Sequence, residues 1–128
     1  MSNVVVDASI LLAVIHRERG FEKVTPDLLA RAVVSTVNLA EVQGKLVSAG
    51  WSRDEAWEDA TGLVSEVLPF TADHARVAGN LIVETRLLGL SLADRACLAL
   101  GLAAKATVYT ADRSWKDLKL GLRIQMIR

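Results

Sequence analysis

The chain has 128 residues, with 15 basic and 15 acidic side chains, 52% hydrophobic and 23% charged content, two prolines and eight glycines. That length suits one domain over residues 1–128 burying roughly two-thirds of its extended surface, and the composition excludes a disordered, collagenous or linker-like chain. The lone Cys97 excludes a disulfide framework and a cysteine-based zinc site, while zero net charge says nothing about nucleic acid.

In chain order, Met1-Ser2-Asn3 carries no basic leader and Asp7 interrupts the apolar stretch that follows, so no signal peptide is expected. Asn3–Val6 is a β-branched run too short for a helix and reads as a strand buried on both faces. Helical character follows over Ser9–Arg17, ending near Gly20, and again over Val24–Ala32 with Pro26 in its first turn. Val33–Thr36 is a second short strand, after which Leu39, Val42, Leu46 and Val47 recur at helical spacing until Gly50. Ser52-Arg53-Asp54-Glu55 is a capping box opening a helix to about Glu66, and Val67–Phe70 is an edge strand marked by Pro69. Thr71–Leu88 and Ser91–Lys105 read as two helices broken at Gly89. Ala106–Thr110 is a strand, Ser114–Leu118 a helical turn, and Arg123–Ile127 a last strand. The longest apolar or glycine run, Ala96–Ala104, is too short to span a bilayer, so a soluble cytoplasmic domain with no membrane partner is expected. From Arg95 onward the chain is rich in Lys and Arg, a feature better explained by a solvated face than by a polyanion site.

Short buried strands alternating with helices imply a mostly parallel sheet, with right-handed crossovers covering both faces. In such sheets ligands bind outside the carboxyl ends of the strands. Asp7 directly follows the first strand, and Asp112 follows Thr110 by one residue. Glu41 lies one turn into the helix after the second strand, where Asn38 and Glu41 could form a capping box. Asp94 stands three residues after Ser91, at the start of a helix apolar almost all round. Each acid taken alone reads as a helix cap before it reads as a ligand. Together, four carboxylates on one edge would repel and raise one another's pKa values. A divalent ion with oxygen preference, Mg²⁺ or Mn²⁺, resolves that crowding. His16 and His74 read as surface residues, and Trp51, Trp57 and Trp115 as core or rim packing rather than RNA-stacking platforms.

Other acid chemistries lack their partners. A dehalogenase-type phosphotransferase needs a second Asp where Ser9 stands, and a receiver domain needs an acidic pair at the first strand and a lysine after the last. No phosphate-binding glycine loop occurs.

With these residues assembled, the chain resembles the PIN-domain ribonucleases, and among them the VapC toxins of toxin–antitoxin pairs. The resemblance rests on Val4-Val5-Val6-Asp7-Ala8-Ser9, Asn38-Leu39-Ala40-Glu41-Val42, Leu90-Ser91-Leu92-Ala93-Asp94-Arg95-Ala96 and Tyr109-Thr110-Ala111-Asp112-Arg113-Ser114-Trp115, in that order. It implies a three-layer α/β/α fold and a Mg²⁺- or Mn²⁺-dependent endoribonuclease. Asp7, Glu41, Asp94 and Asp112 would be its metal-holding quartet, and Ser9 the assisting polar residue. Arg95 would contact phosphate or hold Asp94 by a salt bridge. The implied partners are RNA, a VapB-like antitoxin whose tail covers the acidic site, and a second copy of the chain. A catalytically silent module of the same fold, holding RNA or protein, is the alternative.

Overall fold

The computed structural model describes residues 2–128; Met1, where the expected domain and leaderless start begin, lies outside them. Five strands form one sheet: β1 (Val4–Val6), β2 (Ala32–Ser35), β3 (Glu66–Leu68), β4 (Val108–Thr110) and β5 (Ile124–Met126), ordered β3-β2-β1-β4-β5. Every pairing is parallel, with Val5 set between Val33 and Val108 in register. The helices are α1 (Ala8–His16), α2 (Pro26–Leu29), α3 (Thr36–Ser48), α4 (Arg53–Gly62), α5 (Ala72–Asn80), α6 (Ile82–Thr85) and α7 (Leu92–Ala104). The fold is α/β in three layers, as expected.

Period-two alternation within the short strands divides the core. Val4, Val6, Ala32 and Val34 pack with Ile10, Leu11, Leu39, Val42 and Leu46 on one face. Val5, Val33 and Val108 pack with Cys97, Leu98, Leu100 and Trp115 on the other. Both faces are therefore dry, which is why the strands are unbroken β-branched runs rather than alternating ones. Gly101 lets α7 lie close on β4, since a Cβ there would collide with the Val108 side chain. The chain runs outward from β1 to β3 on one side and resumes at β4 on the other. The sheet's switch point thus falls between β1 and β4, where such folds open a crevice at the carboxyl edge.

Several boundaries differ from the sequence expectation, each for a local reason. The helix expected over Val24–Ala32 is a single turn, because Ala32 belongs to β2 and pairs with Val4. The helix after Ser52 stops at Gly62 rather than Glu66, which pairs with Val33 in β3. Only half of its capping box forms: Ser52 Oγ accepts the Glu55 N–H. The helix expected over Thr71–Leu88 breaks into α5, α6 and a 3₁₀ turn at Arg86–Leu88. Gly79 and Asn80 are weak helix formers there, and Thr85 Oγ1 donates back to the Leu81 carbonyl at 2.8 Å, a bond that bends helices. Among the described residues no helix is long and apolar enough to cross a membrane.

Candidate active site

Four segments far apart in sequence bring Asp7, Ser9, Glu41, Asp94 and Asp112 to the lining of one cavity of about 290 Å³, at the carboxyl ends of β1 and β4. The sheet places Asp7 and Asp112, and the helices that follow it supply the other two.

Asp7 is only 3% exposed and caps α1. Its Oδ1 accepts from Ser9 Oγ at 2.6 Å and from the Ile10 N–H at 3.1 Å, and its Oδ2 accepts from Thr110 Oγ1 at 2.6 Å. Burial pushes the Asp7 carboxyl up from 3.8 to about 6; the hydrogen bonds from Ser9, Thr110 and Ile10 oppose this, and the nearby charge of Asp94 adds to it. Burial also raises the Cys97 thiol beneath the site, with Asp7 and Asp94 contributing.

Thr110, fully buried, joins the site although sequence reasoning gave it no role. Its hydroxyl donates to Asp7 and accepts the Asp112 N–H at 3.0 Å, fastening the first acid to the last. Ser9 works in parallel, accepting the Ala111 N–H at 2.8 Å while donating to Asp7. The available signal was a hydroxyl two residues before Asp112, at the end of a strand otherwise buried in apolar surroundings.

The capping reading holds for Asp7, Asp94 and Asp112. Asp94 Oδ2 accepts the Ser91 N–H at 2.9 Å in a complete capping box, and Asp112 Oδ1 accepts the Ser114 N–H at 2.9 Å. Each keeps its other oxygen free of hydrogen bonds from the described residues, as Glu41 keeps both. Glu41 itself lies in the second turn of α3, because Ser35 rather than Asn38 is the cap. Asn38 is buried instead, and its Nδ2 donates to the Ala93 carbonyl at 3.0 Å, tying the Glu41 helix to the residue before Asp94.

Arg95 makes no salt bridge with Asp94. Its Nη1 donates to the Ala78 carbonyl at 2.9 Å, where α7 packs on α5. The cavity lining also includes Glu18 and Lys45, which the sequence reading passed over. Glu18, just past α1, pairs with Arg128 at 3.6 Å. Neither His16 nor His74 lines the cavity. Trp115 is fully buried, whereas Trp57 is half exposed.

The donor set suits a hard divalent cation: carboxylate oxygens, with at least three of the acids retaining an uncommitted one. Among the described residues, no three His, Cys, Asp or Glu side chains already form a metal-ligand cluster. Mg²⁺ rarely needs such a cage, because it keeps several waters and uses one or two carboxylates together with substrate phosphate.

A PIN-domain family model matches residues 4–120, a span containing all four carboxylates. The chain belongs to the PIN-domain family. No curated protein sequence matches this PIN domain. Among solved structures it is similar to VapC20 from Mycobacterium tuberculosis, described as a sarcin–ricin loop cleaving toxin, with TM-score 0.74, 19% identity and coverage of 94% of this chain and 99% of that one. It is also similar to a chain of VapBC2 from Rickettsia felis bound to a promoter DNA fragment, with TM-score 0.71, 21% identity and coverage of 96% and 97%. A third is VapBC-5 from Mycobacterium tuberculosis, with TM-score 0.69, 23% identity and coverage of 100% and 99%. Likeness at these identities establishes the shared fold.

Proposed function

We propose that this PIN domain is a metal-dependent endoribonuclease hydrolysing RNA phosphodiesters, the VapC-type toxin of a cytoplasmic toxin–antitoxin pair. The observation that carries the reading is the convergence of Asp7, Glu41, Asp94 and Asp112 on one cavity. Those four carboxylates would hold Mg²⁺ or Mn²⁺. The chemistry such an ion supplies is activation of water and neutralisation of charge at the scissile phosphate. The chain's own contribution is orientation. Ser9 and Thr110 fix both Asp7 oxygens, Thr110 holds the Asp112 backbone, and the capping box sets Asp94 at the head of α7. Arg95 serves in this reading as the brace between α7 and α5 rather than as a phosphate contact. The described activity of VapC20 supports RNA as substrate, and the VapBC structures support a VapB-like antitoxin partner, whose tail would cover the acidic cavity. A homodimer completes the proposal.

Incubating the purified chain with structured RNA tests it. Cleavage in Mn²⁺ that is abolished both by EDTA and by Asp7→Asn is expected; cleavage persisting under both would overturn it. One observation favours a silent binding module, namely that three of the acids already cap helices without a preformed metal cluster. That module would bind RNA or protein and leave RNA uncut with every metal.

A further inference from the structure

We infer that Lys45 is a substrate-contacting residue of this site, its ammonium meeting a non-bridging oxygen of the RNA backbone; the inference rests on the nuclease reading above. Lys45 follows Glu41 by four residues on α3, so the two side chains share a face one turn apart. Both line the cavity, together with the carboxylates of Asp7, Glu18, Asp94 and Asp112. Lys45 is the one cationic side chain in that lining. Among the described residues, the salt bridges within 4 Å are Arg76–Asp73 and Arg128–Glu18, so the exposed Lys45 is committed to no ion pair.

The charges say what such an ammonium is for. RNA brings one negative charge per phosphate to a pocket walled by carboxylates, and a divalent ion offsets only part of that repulsion. The neighbouring cation, Arg128, is engaged by Glu18 and by the Arg19 carbonyl, which Nη1 reaches at 2.9 Å. Within the lining, Lys45 is left to receive phosphate, and a mobile point charge on a flexible stem suits a backbone presented in many sequences. If its role were only to soften repulsion among the acids, its loss would alter stability and leave substrate affinity alone.

The test compares wild type with Lys45→Ala and Lys45→Arg on one RNA hairpin in Mn²⁺ across a salt series. Lys45→Ala is expected to raise KM about 5- to 20-fold with kcat within about twofold, the pattern of a lost uniform binding contact. The slope of log(kcat/KM) against log[salt] should flatten by about 0.7, one phosphate's worth for a contact in the single-stranded loop of the hairpin, and Lys45→Arg should restore both. Without RNA, the Mn²⁺ concentration giving half the rise in Tm should fall about two- to threefold in Lys45→Ala, because a like charge has left the pocket. A metal midpoint that stays put or rises counts against the placement of the ammonium. Anisotropy with the same hairpin in an Asp112→Asn background reads binding independently of cutting. If Lys45→Ala weakens that binding while wild type cuts nothing, the nuclease reading fails and Lys45 is an RNA contact without being a substrate one, which overturns the proposal as stated. If wild type cuts RNA and Lys45→Ala keeps its KM and salt slope, the role of Lys45 fails and the nuclease reading stands.

Discussion

Asp7 concentrates the site's electrostatics in one side chain. Its folded carboxyl holds a proton up to about pH 6, against 3.8 for the free group. The raised value therefore adds stability that is complete below the unfolded pKa and is lost as pH climbs through the folded one. The loss is at most about 3 kcal/mol on that shift. In EDTA, Asp7→Asn should then melt several degrees above wild type at pH 7.5, with the gap closing toward pH 4; a gap indifferent to pH would contradict the assignment. Divalent metal should reverse the order, because it favours the ionised carboxylate that wild type alone can offer. Thr110→Val tests the clamp beneath. Removing the hydroxyl strips a donor from Asp7 and an acceptor from the Asp112 N–H, which should cost about 1–3 kcal/mol. Cleavage should fall at least about tenfold (measured as kcat on folded protein), with half-saturating Mn²⁺ raised. Asp7, Asp94 and Asp112 were legible in the sequence because a cap and a metal ligand both call for an acid at a helix start. Thr110 was not, because threonine is an ordinary strand former whose role appears only when β4 lies beside β1. Glu18 and Lys45 were invisible for the same reason, since nothing local marks them.

At the scale of elements, the strands were readable because burial on both faces leaves a dense β-branched signature, as in Val4-Val5-Val6 and Val33-Val34. Helix ends were readable where a side chain closes them, as Ser91 does for α7. They were misread where tertiary pairing claims the residues, as β2 claims Ala32 and β3 claims Glu66. The same competition explains Asn38, a plausible cap by spacing that the fold buries against Ala93. Close approach of α7 to β4 makes a sharper prediction. Gly101→Ala should destabilise the fold by about 1–3 kcal/mol through overpacking against Val108, seen as a lower urea midpoint with an unchanged slope. A neutral substitution there would mean that α7 lies farther from the sheet than described.

For the whole molecule, the parallel order β3-β2-β1-β4-β5 carries function, because it collects the carboxyl ends at one edge and opens a crevice between β1 and β4. Sequence reasoning could place each acid on that edge, but it could not say how tightly the four would gather. They share a cavity, and among the described residues they stop short of a closed metal-ligand cluster. The decisive measurement is a crystal of this chain soaked in Mn²⁺ and read by anomalous scattering. The account predicts a peak in the cavity, bound through Asp7 and at least one of Glu41, Asp94 and Asp112. A cavity without a peak at millimolar Mn²⁺, or Mn²⁺ bound only elsewhere, would contradict it.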